Sequence, residues 1–205
     1  MAEIAASGGK AIAVGADTSV EADVVRLFET VDETLGPLTA LVNNAGILKQ
    51  QTRVSEMSAK RINEVMAVNV TGCFLCAREA VRRMSTLTGG TGGAIVNVSS
   101  GASRLGSPGE YVDYAASKGA VDTLTIGLAK EVAEEGIRVN AVRPGFIYTD
   151  IHTSGGEPER VDRVKAFVPM KRGGAPEEVA RAIMWLLSDE ASYTTGAFID
   201  VTGGK

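Results

Sequence analysis

Tyr114 and Lys118 stand four residues apart in YVDYAASKGA (111 to 120), a spacing that lays a phenol and an ammonium on one face of a helix. Tyr111 is followed four residues on by Ala115, so only Tyr114 can use the lysine. A free phenol titrates near pH 10 and exchanges protons poorly at neutral pH. A cation about 5 Å away, at an effective dielectric of about 20, favours the phenolate by on the order of 3 kcal/mol, roughly two pKa units. The pair therefore reads as acid-base chemistry poised near working pH. Side chains supply no hydride acceptor; an oxidised nicotinamide would, and its positive ring would push the phenol in the same direction, so the pair asks for NAD or NADP. The substrate oxygen needs a neutral donor, for which Ser100 at the end of VNVSS is the candidate, with Ser99 and Ser103 as competitors. Asn69, in MAVNVTG, could hold a water against Lys118, a role that spacing alone does not establish.

The elements that must position these groups alternate. KAIAVGAD (10 to 17) reads as a buried strand, and Thr18-x-x-Glu21 as a capping box before a helix with apolar Val20, Val24, Leu27, Phe28, Val31 and Leu35. Gly36-Pro37 ends that helix, and TALVNNAG (39 to 46) is a second strand. A long helix over about 58 to 84 leads through the loop TGGTGG to a third strand, AIVNVSS (94 to 100). A helix over about 111 to 135 precedes the strand RVNAVRPG (138 to 145). After an irregular stretch with a short helix near 159 to 167, Pro176 opens a helix to about Leu187, and AFIDV (197 to 201) is the last strand. This alternation predicts a doubly wound α/β domain with a parallel sheet, and ligands gather at the carboxyl ends of such strands. Asp17, Asn43, Asn44, Ser99, Ser100 and Pro144-Gly145 all follow strands, so one sheet edge should carry the chemistry.

Composition bounds the alternatives. The 205 residues suit one domain, with a formal net charge of −4 and only short basic pairs, which argues against nucleic acid. No apolar run approaches a membrane span and the amino terminus does not read as a signal peptide, so the expected compartment is the cytoplasm. Cys73-x-x-Cys76 has no second pair and the lone His152 is distant in sequence, so the thiols read as structural and no metal is expected.

LVNNAG, VNVSS, Tyr114-x-x-x-Lys118 and RPGFIYTD, in that order, resemble the short-chain dehydrogenase/reductase family over essentially the whole chain. The resemblance implies a catalytic tetrad of Asn69, Ser100, Tyr114 and Lys118: tyrosine as acid-base, serine on the carbonyl, lysine on the nicotinamide ribose, and asparagine in a proton relay. It further implies that Asp17 contacts the adenine, that Thr18 is cofactor-binding, that Asn44, Ala45 and Gly46 line the adenosine side, and that Pro144, Gly145, Ile147 and Thr149 flank the nicotinamide. The implied activity interconverts a small-molecule alcohol and a carbonyl with NAD or NADP, in a homodimer or homotetramer. Residues 146 to 174 correspond to the family's variable substrate lid, and Phe146, Ile151, His152 and the 154 to 170 stretch describe a mixed pocket without an obvious charge anchor.

The family's first strand, Thr-Gly-x-x-x-Gly-x-Gly turn and following helix hold the cofactor pyrophosphate, and these 205 residues do not contain that pattern. MAEIAASGGK is similar to the tail of the helix before the third family strand. The expectation is therefore a Rossmann-like sheet lacking its first two strands, an amino-terminally truncated family member. TGGTGG precedes a strand instead of joining a strand to a helix and reads as a flexible surface loop. In the resemblance the two absent strands lie between residues 10 to 16 and 39 to 44, so the first strand here either pairs directly with its successor, leaves an open edge or is covered by another subunit. The alternative function is a non-catalytic subunit unable to bind dinucleotide.

Overall fold

The computed structural model describes residues 1–205. Four parallel strands, β1 (Ala40–Asn43), β2 (Gly93–Val98), β3 (Ile137–Pro144) and β4 (Phe198–Val201), form one sheet in the order β1-β2-β3-β4. Val42 pairs with Val96, Val96 with Asn140, and Val142 with Ile199, so every neighbouring pair is in parallel register. The helices are α1 (Ala2–Ala6), α2 (Glu21–Leu35), α3 (Ala59–Met66), α4 (Gly72–Met84), α5 (Ala102–Leu105), α6 (Val112–Glu131), α7 (Ile151–Ser154), α8 (Arg160–Val164) and α9 (Pro176–Leu187). The result is a Rossmann-like doubly wound architecture with a reduced sheet.

Two apolar clusters hold the layers. Val24 and Phe28 of α2, Cys76, Ala80 and Met84 of α4, and Ala129 of α6 pack with Ile95, Ile137 and Val139 of the sheet. Val179 and Leu186 of α9 pack with Val96, Val142 and Ile147. Side chains alternate across a strand, so adjacent residues of β2, Ile95 and Val96, feed opposite clusters. A buried polar chain crosses the same layer: Asn43 Nδ2 donates to Asn97 Oδ1 at 2.9 Å, and Asn97 Nδ2 donates to Thr125 Oγ1 at 2.9 Å. It ties β1 and β2 to α6 at a fixed height.

Residues 11 to 16 are not a strand. They run without regular structure, their backbone N–H groups find no backbone acceptor, and they do not pair with the open edge of β1. A short apolar run becomes a strand only when a neighbour pairs with it. β1 is the outermost strand and is half exposed, with Val42 37% accessible. The direct pairing considered from the sequence does not form.

The capping box at Thr18 is also replaced. Asp17 Oδ1 accepts from Ser19 N–H at 2.9 Å, and Asp23 Oδ2 accepts from Asp17 N–H at 2.9 Å, an Asx turn that delays the helix to Glu21. The long helix expected over 58 to 84 is interrupted by a π-helical turn, Ala67–Thr71, between α3 and α4. TGGTGG lies at the surface through Thr88, Gly89 and Thr91 and packs closely at its end, where Gly92 has φ +78 and a Cβ would lie 2.6 Å from the Gly136 carbonyl oxygen. At α9 the expectation holds, with Pro176 first and Glu178 accepting from Ala175 N–H at 2.8 Å. Arg138 on β3 closes the other end of α9, donating to the carbonyls of Leu186 (2.8 Å) and Ser188 (3.1 Å).

Candidate active site

The carboxyl ends of β2 and β3 and the amino-terminal half of α6 open onto a cleft of about 890 Å³. Tyr114, Lys118, Ser100, Asn44, Gly46, Pro144, Gly145, Ile147 and Thr149 all border it, which brings together residues spread over more than a hundred positions. α6 is set at its start by Asp113, which is buried: Arg61 Nε of α3 donates to its Oδ2 at 2.8 Å, and its Oδ1 accepts from the Tyr114 backbone N–H at 2.9 Å.

Lys118 is 4% exposed, donates from Nζ to the Val98 carbonyl at 2.7 Å, and holds Nζ 5.7 Å from the centre of the Tyr114 ring. The two groups face each other at the strand-end crevice, as the spacing requires. Ser100 Oγ accepts from Ala102 N–H at 3.1 Å and faces the Tyr114 phenol. Ser99 is excluded from that position because its hydroxyl is buried and directed to the Lys118 carbonyl at 3.3 Å, and Ser103 donates to the Ser100 carbonyl at 2.8 Å. The geometry thus separates three serines that the sequence left in competition.

Asn69, 1% exposed, sits inside the π-helical turn. Its Oδ1 accepts from Ile47 N–H at 2.7 Å while its Nδ2 donates to the Ile47 carbonyl at 3.1 Å and to Ser117 Oγ at 3.0 Å. The turn's extra residue aims this amide at the loop after β1 and at α6 together. Asn69 and Lys118 line a small adjoining cavity with Ala45 and Thr18. Only Asp17 stands apart. Its carboxylate is spent on Ser19, which also holds its pKa below the usual carboxylate range, and it does not border the cleft.

The electrostatics correct one expectation. Burial raises the Tyr114 pKa above the free phenol's, and the Ser100 hydroxyl recovers only part of that. Burial also lowers Lys118 to about 8, against a smaller opposing pull from Cys73 and Asp122. Desolvation is the largest influence on both partners of the pair, disfavouring phenolate and ammonium alike. Tyr114 is therefore a protonated donor at neutral pH.

The same shift predicts a pH dependence of stability. Lys118 binds its proton less tightly folded than unfolded, so between about pH 8 and 10.5 this group alone makes stability rise with pH, by about 3 kcal/mol over the full span. The Cys73 and Cys76 thiols, raised by burial from 9.0, and the Tyr111 and Tyr114 phenols, raised by burial from 10, act in the opposite direction as the pH passes their unfolded values. Urea denaturation from pH 7.5 to 9.5 should therefore show Lys118 as a difference: Lys118→Met, which keeps the opposing thiols, should lose stability relative to the wild type as the pH rises.

Cys73 and Cys76 are free and buried, and burial pushes the Cys73 thiol up to about 12, so neither is a thiolate near neutral pH. Nothing in the sequence flagged Arg160, which also borders the cleft and is 8% exposed. Its partners lie up to fifty positions away, and no local spacing signals them.

The parallel sheet, with Ser100 at a strand end and Tyr114 and Lys118 on the helix that faces it, agrees with the short-chain dehydrogenase/reductase family, a class of NAD(P)-dependent oxidoreductases. The chain belongs to that family: a family model described as enoyl-(acyl carrier protein) reductase matches residues 1–205. It is 67% identical over 202 residues to the uncharacterized oxidoreductase YgfF of Escherichia coli (strain K12), covering 98% of this chain and 82% of that protein. It is 40% identical over 198 residues to glucose 1-dehydrogenase 2 of Bacillus subtilis (strain 168), covering 97% and 76%. The crystal structure of a short-chain type dehydrogenase/reductase from Mycobacterium marinum superposes with a TM-score of 0.91 at 33% identity, over 99% of this chain and 78% of that one. No helix is long and apolar enough to cross a membrane.

Proposed function

We propose that this cleft reduces a small-molecule carbonyl, and oxidises the corresponding alcohol, with Tyr114 as the acid-base, Ser100 as the donor that holds the substrate oxygen, and Lys118 and Asn69 as the groups that set and replenish the proton. The observation that carries the reading is the meeting of Tyr114, Lys118 and Ser100 at one strand-end crevice, with Tyr114 protonated. In reduction the phenol gives its proton to the carbonyl oxygen as charge develops there, and Ser100 shares that charge. The phenolate left behind is stabilised by protonated Lys118, and Asn69, locked by three hydrogen bonds, keeps the loop after β1 fixed against α6.

The residues present fit the nicotinamide half of NAD(P): Pro144, Gly145, Ile147 and Thr149 border the cleft beside Lys118, whose Nζ spends one hydrogen on Val98 and keeps the others for a ribose hydroxyl. That cofactor, when bound, supplies the hydride that no side chain here can carry. Asn44, Ala45 and Gly46 would line its adenosine side, and the lid of the single domain, residues 146 to 174, would close over the substrate. Asp17 and Thr18 would stand on the adenine side; Thr18 and Ala45 line the small adjoining cavity and not the main cleft.

A second reading, a truncated subunit that holds no dinucleotide, draws on the unpaired segment 11 to 16 and the open edge of β1, where the family pattern has further strands. Titrating NADH and NADPH into the 205-residue chain while following cofactor fluorescence separates the two. Saturable binding of either is expected; a linear response to both would overturn the enzymatic reading and support the subunit.

A further inference from the structure

Arg160 and His152 border the cleft, and Glu110, Glu157 and Arg163 stand behind Arg160 in a cluster whose charges cancel. Arg160 Nη1 donates to Glu157 Oε2 at 2.8 Å and its Nη2 to Glu110 Oε2 at 2.5 Å. Its guanidinium lies 4.9 Å from the centre of the Tyr111 ring and 5.7 Å from that of Phe146. Glu157 also takes Arg163 Nε and, at 2.7 Å, Gln51 Nε2, while Arg163 Nη2 stands 3.7 Å from Glu110. Two guanidiniums thus meet two carboxylates, with no net charge.

Several of the polar groups beside Arg160 are engaged or neutral. His152 Nε2 lies 3.0 Å from the Ile147 carbonyl and must donate to it, which leaves Nδ1 unprotonated, buried and without a partner; burial lowers the ring's pKa and keeps it neutral. Tyr111 donates its hydroxyl to the Gly155 carbonyl at 3.2 Å. Lys49 is paired with Glu64 at 2.8 Å, and Asp150 and Lys205 are exposed to water. Toward a substrate arm the cleft offers apolar Leu48, Leu105, Ile147 and Ile151, with the uncharged hydroxyls of Ser107 and Ser154 among them.

We infer that Arg160 is a specificity-determining residue whose charge Glu110 and Glu157 cancel, so that the cleft takes uncharged carbonyl compounds with an apolar arm and rejects the matching carboxylates. A carboxylate against this wall loses water and meets Arg160 already paired with Glu110 and Glu157, part-buried pairs it would have to break, while Lys205 at the cleft border is exposed and screened by water and Lys118 lies at the reacting end. An ester or ketone arm of the same size loses little water and meets aliphatic side chains. The inference rests on the cleft being the substrate site proposed above.

The test uses methyl levulinate and levulinate, a neutral and an anionic methyl ketone of nearly equal size, whose binding to the 205-residue chain is followed by ligand-observed NMR without cofactor. The wild type should bind the ester about tenfold or more tighter than the acid. Glu110→Gln and Glu157→Gln each uncover part of the Arg160 charge; in both, levulinate should gain about fivefold to tenfold while methyl levulinate stays within about twofold. Equal or tighter binding of levulinate by the wild type would overturn the inference, as would binding of neither probe, or an unchanged ratio in variants whose thermal melts match the wild type. Should a variant unfold, the wild-type ratio decides, together with an ester affinity independent of salt. Because no cofactor is present, a failure of the proposed redox function appears in the cofactor titration and leaves this ratio untouched.

Discussion

Tyr114→Phe is expected to lower kcat by about a thousandfold, within the usual 10²–10⁴ range for loss of a positioned acid-base, while changing cofactor affinity by less than about twofold. The substitution removes one hydroxyl from a residue whose ring is held by α6, so the cleft keeps its shape. The remaining Ser100 hydroxyl can hold the carbonyl but has no partner to replenish its proton. The pH profile should carry the signature. With Tyr114 raised and Lys118 lowered to about 8, reduction by the wild type should stay level through neutral pH, where the phenol is a donor, and fall above about pH 8 as Lys118 loses the charge that stabilises the product phenolate. Oxidation needs the deprotonated phenol and should rise with pH over the neutral range. Steady-state kinetics in both directions from pH 6 to 9.5 would check this, and a wild-type level of turnover in Tyr114→Phe would remove Tyr114 from the chemistry.

Asn69→Ala is expected to cost more stability than any other change in the site, on the order of 3–5 kcal/mol. Three groups, the part-buried Ile47 N–H and carbonyl and the buried Ser117 hydroxyl, lose a partner at once, and the fully buried Asn69 side chain leaves a gap behind. Ser117 keeps its own donation to the Tyr114 carbonyl at 2.7 Å, so α6 stays helical and the damage falls on the loop after β1. Turnover should fall as well, because that loop carries Gly46 and Ile47 into the cleft. A midpoint in urea within error of the wild type would show that the amide is not the tie that these distances describe.

The sheet was legible because β2, β3 and β4 are apolar runs with partners on hand, and the strand-end position of Ser100 and Pro144-Gly145 followed from that order. Residues 11 to 16 have a similar local pattern but no neighbour, and pairing is a property of two segments that one segment's composition does not reveal. The π-helical turn at Asn69 was invisible for a related reason: 3.6-residue periodicity continues on both sides of it, and the extra residue is paid for by side-chain bonds to Ile47 and Ser117, 22 and 48 positions away. Tyr114 and Lys118 were found by spacing alone, yet the sign of the phenol's shift was not, because helical spacing gives the distance between two charges and says nothing of how much water surrounds them. The Arg160 cluster joins the lid to the segment before α6 and has no local signature at all.

The central claim is that Tyr114 moves a proton at the crevice while a bound nicotinamide delivers hydride to the same carbonyl. Incubating the 205-residue chain with methyl levulinate and reduced cofactor carrying deuterium at both C4 positions, and reading the alcohol by mass spectrometry, tests it most directly. One deuterium on the carbinol carbon with the wild type, and essentially none with Tyr114→Phe, is the predicted result; an unlabelled alcohol, no alcohol from the wild type, or equal label from both proteins would contradict it.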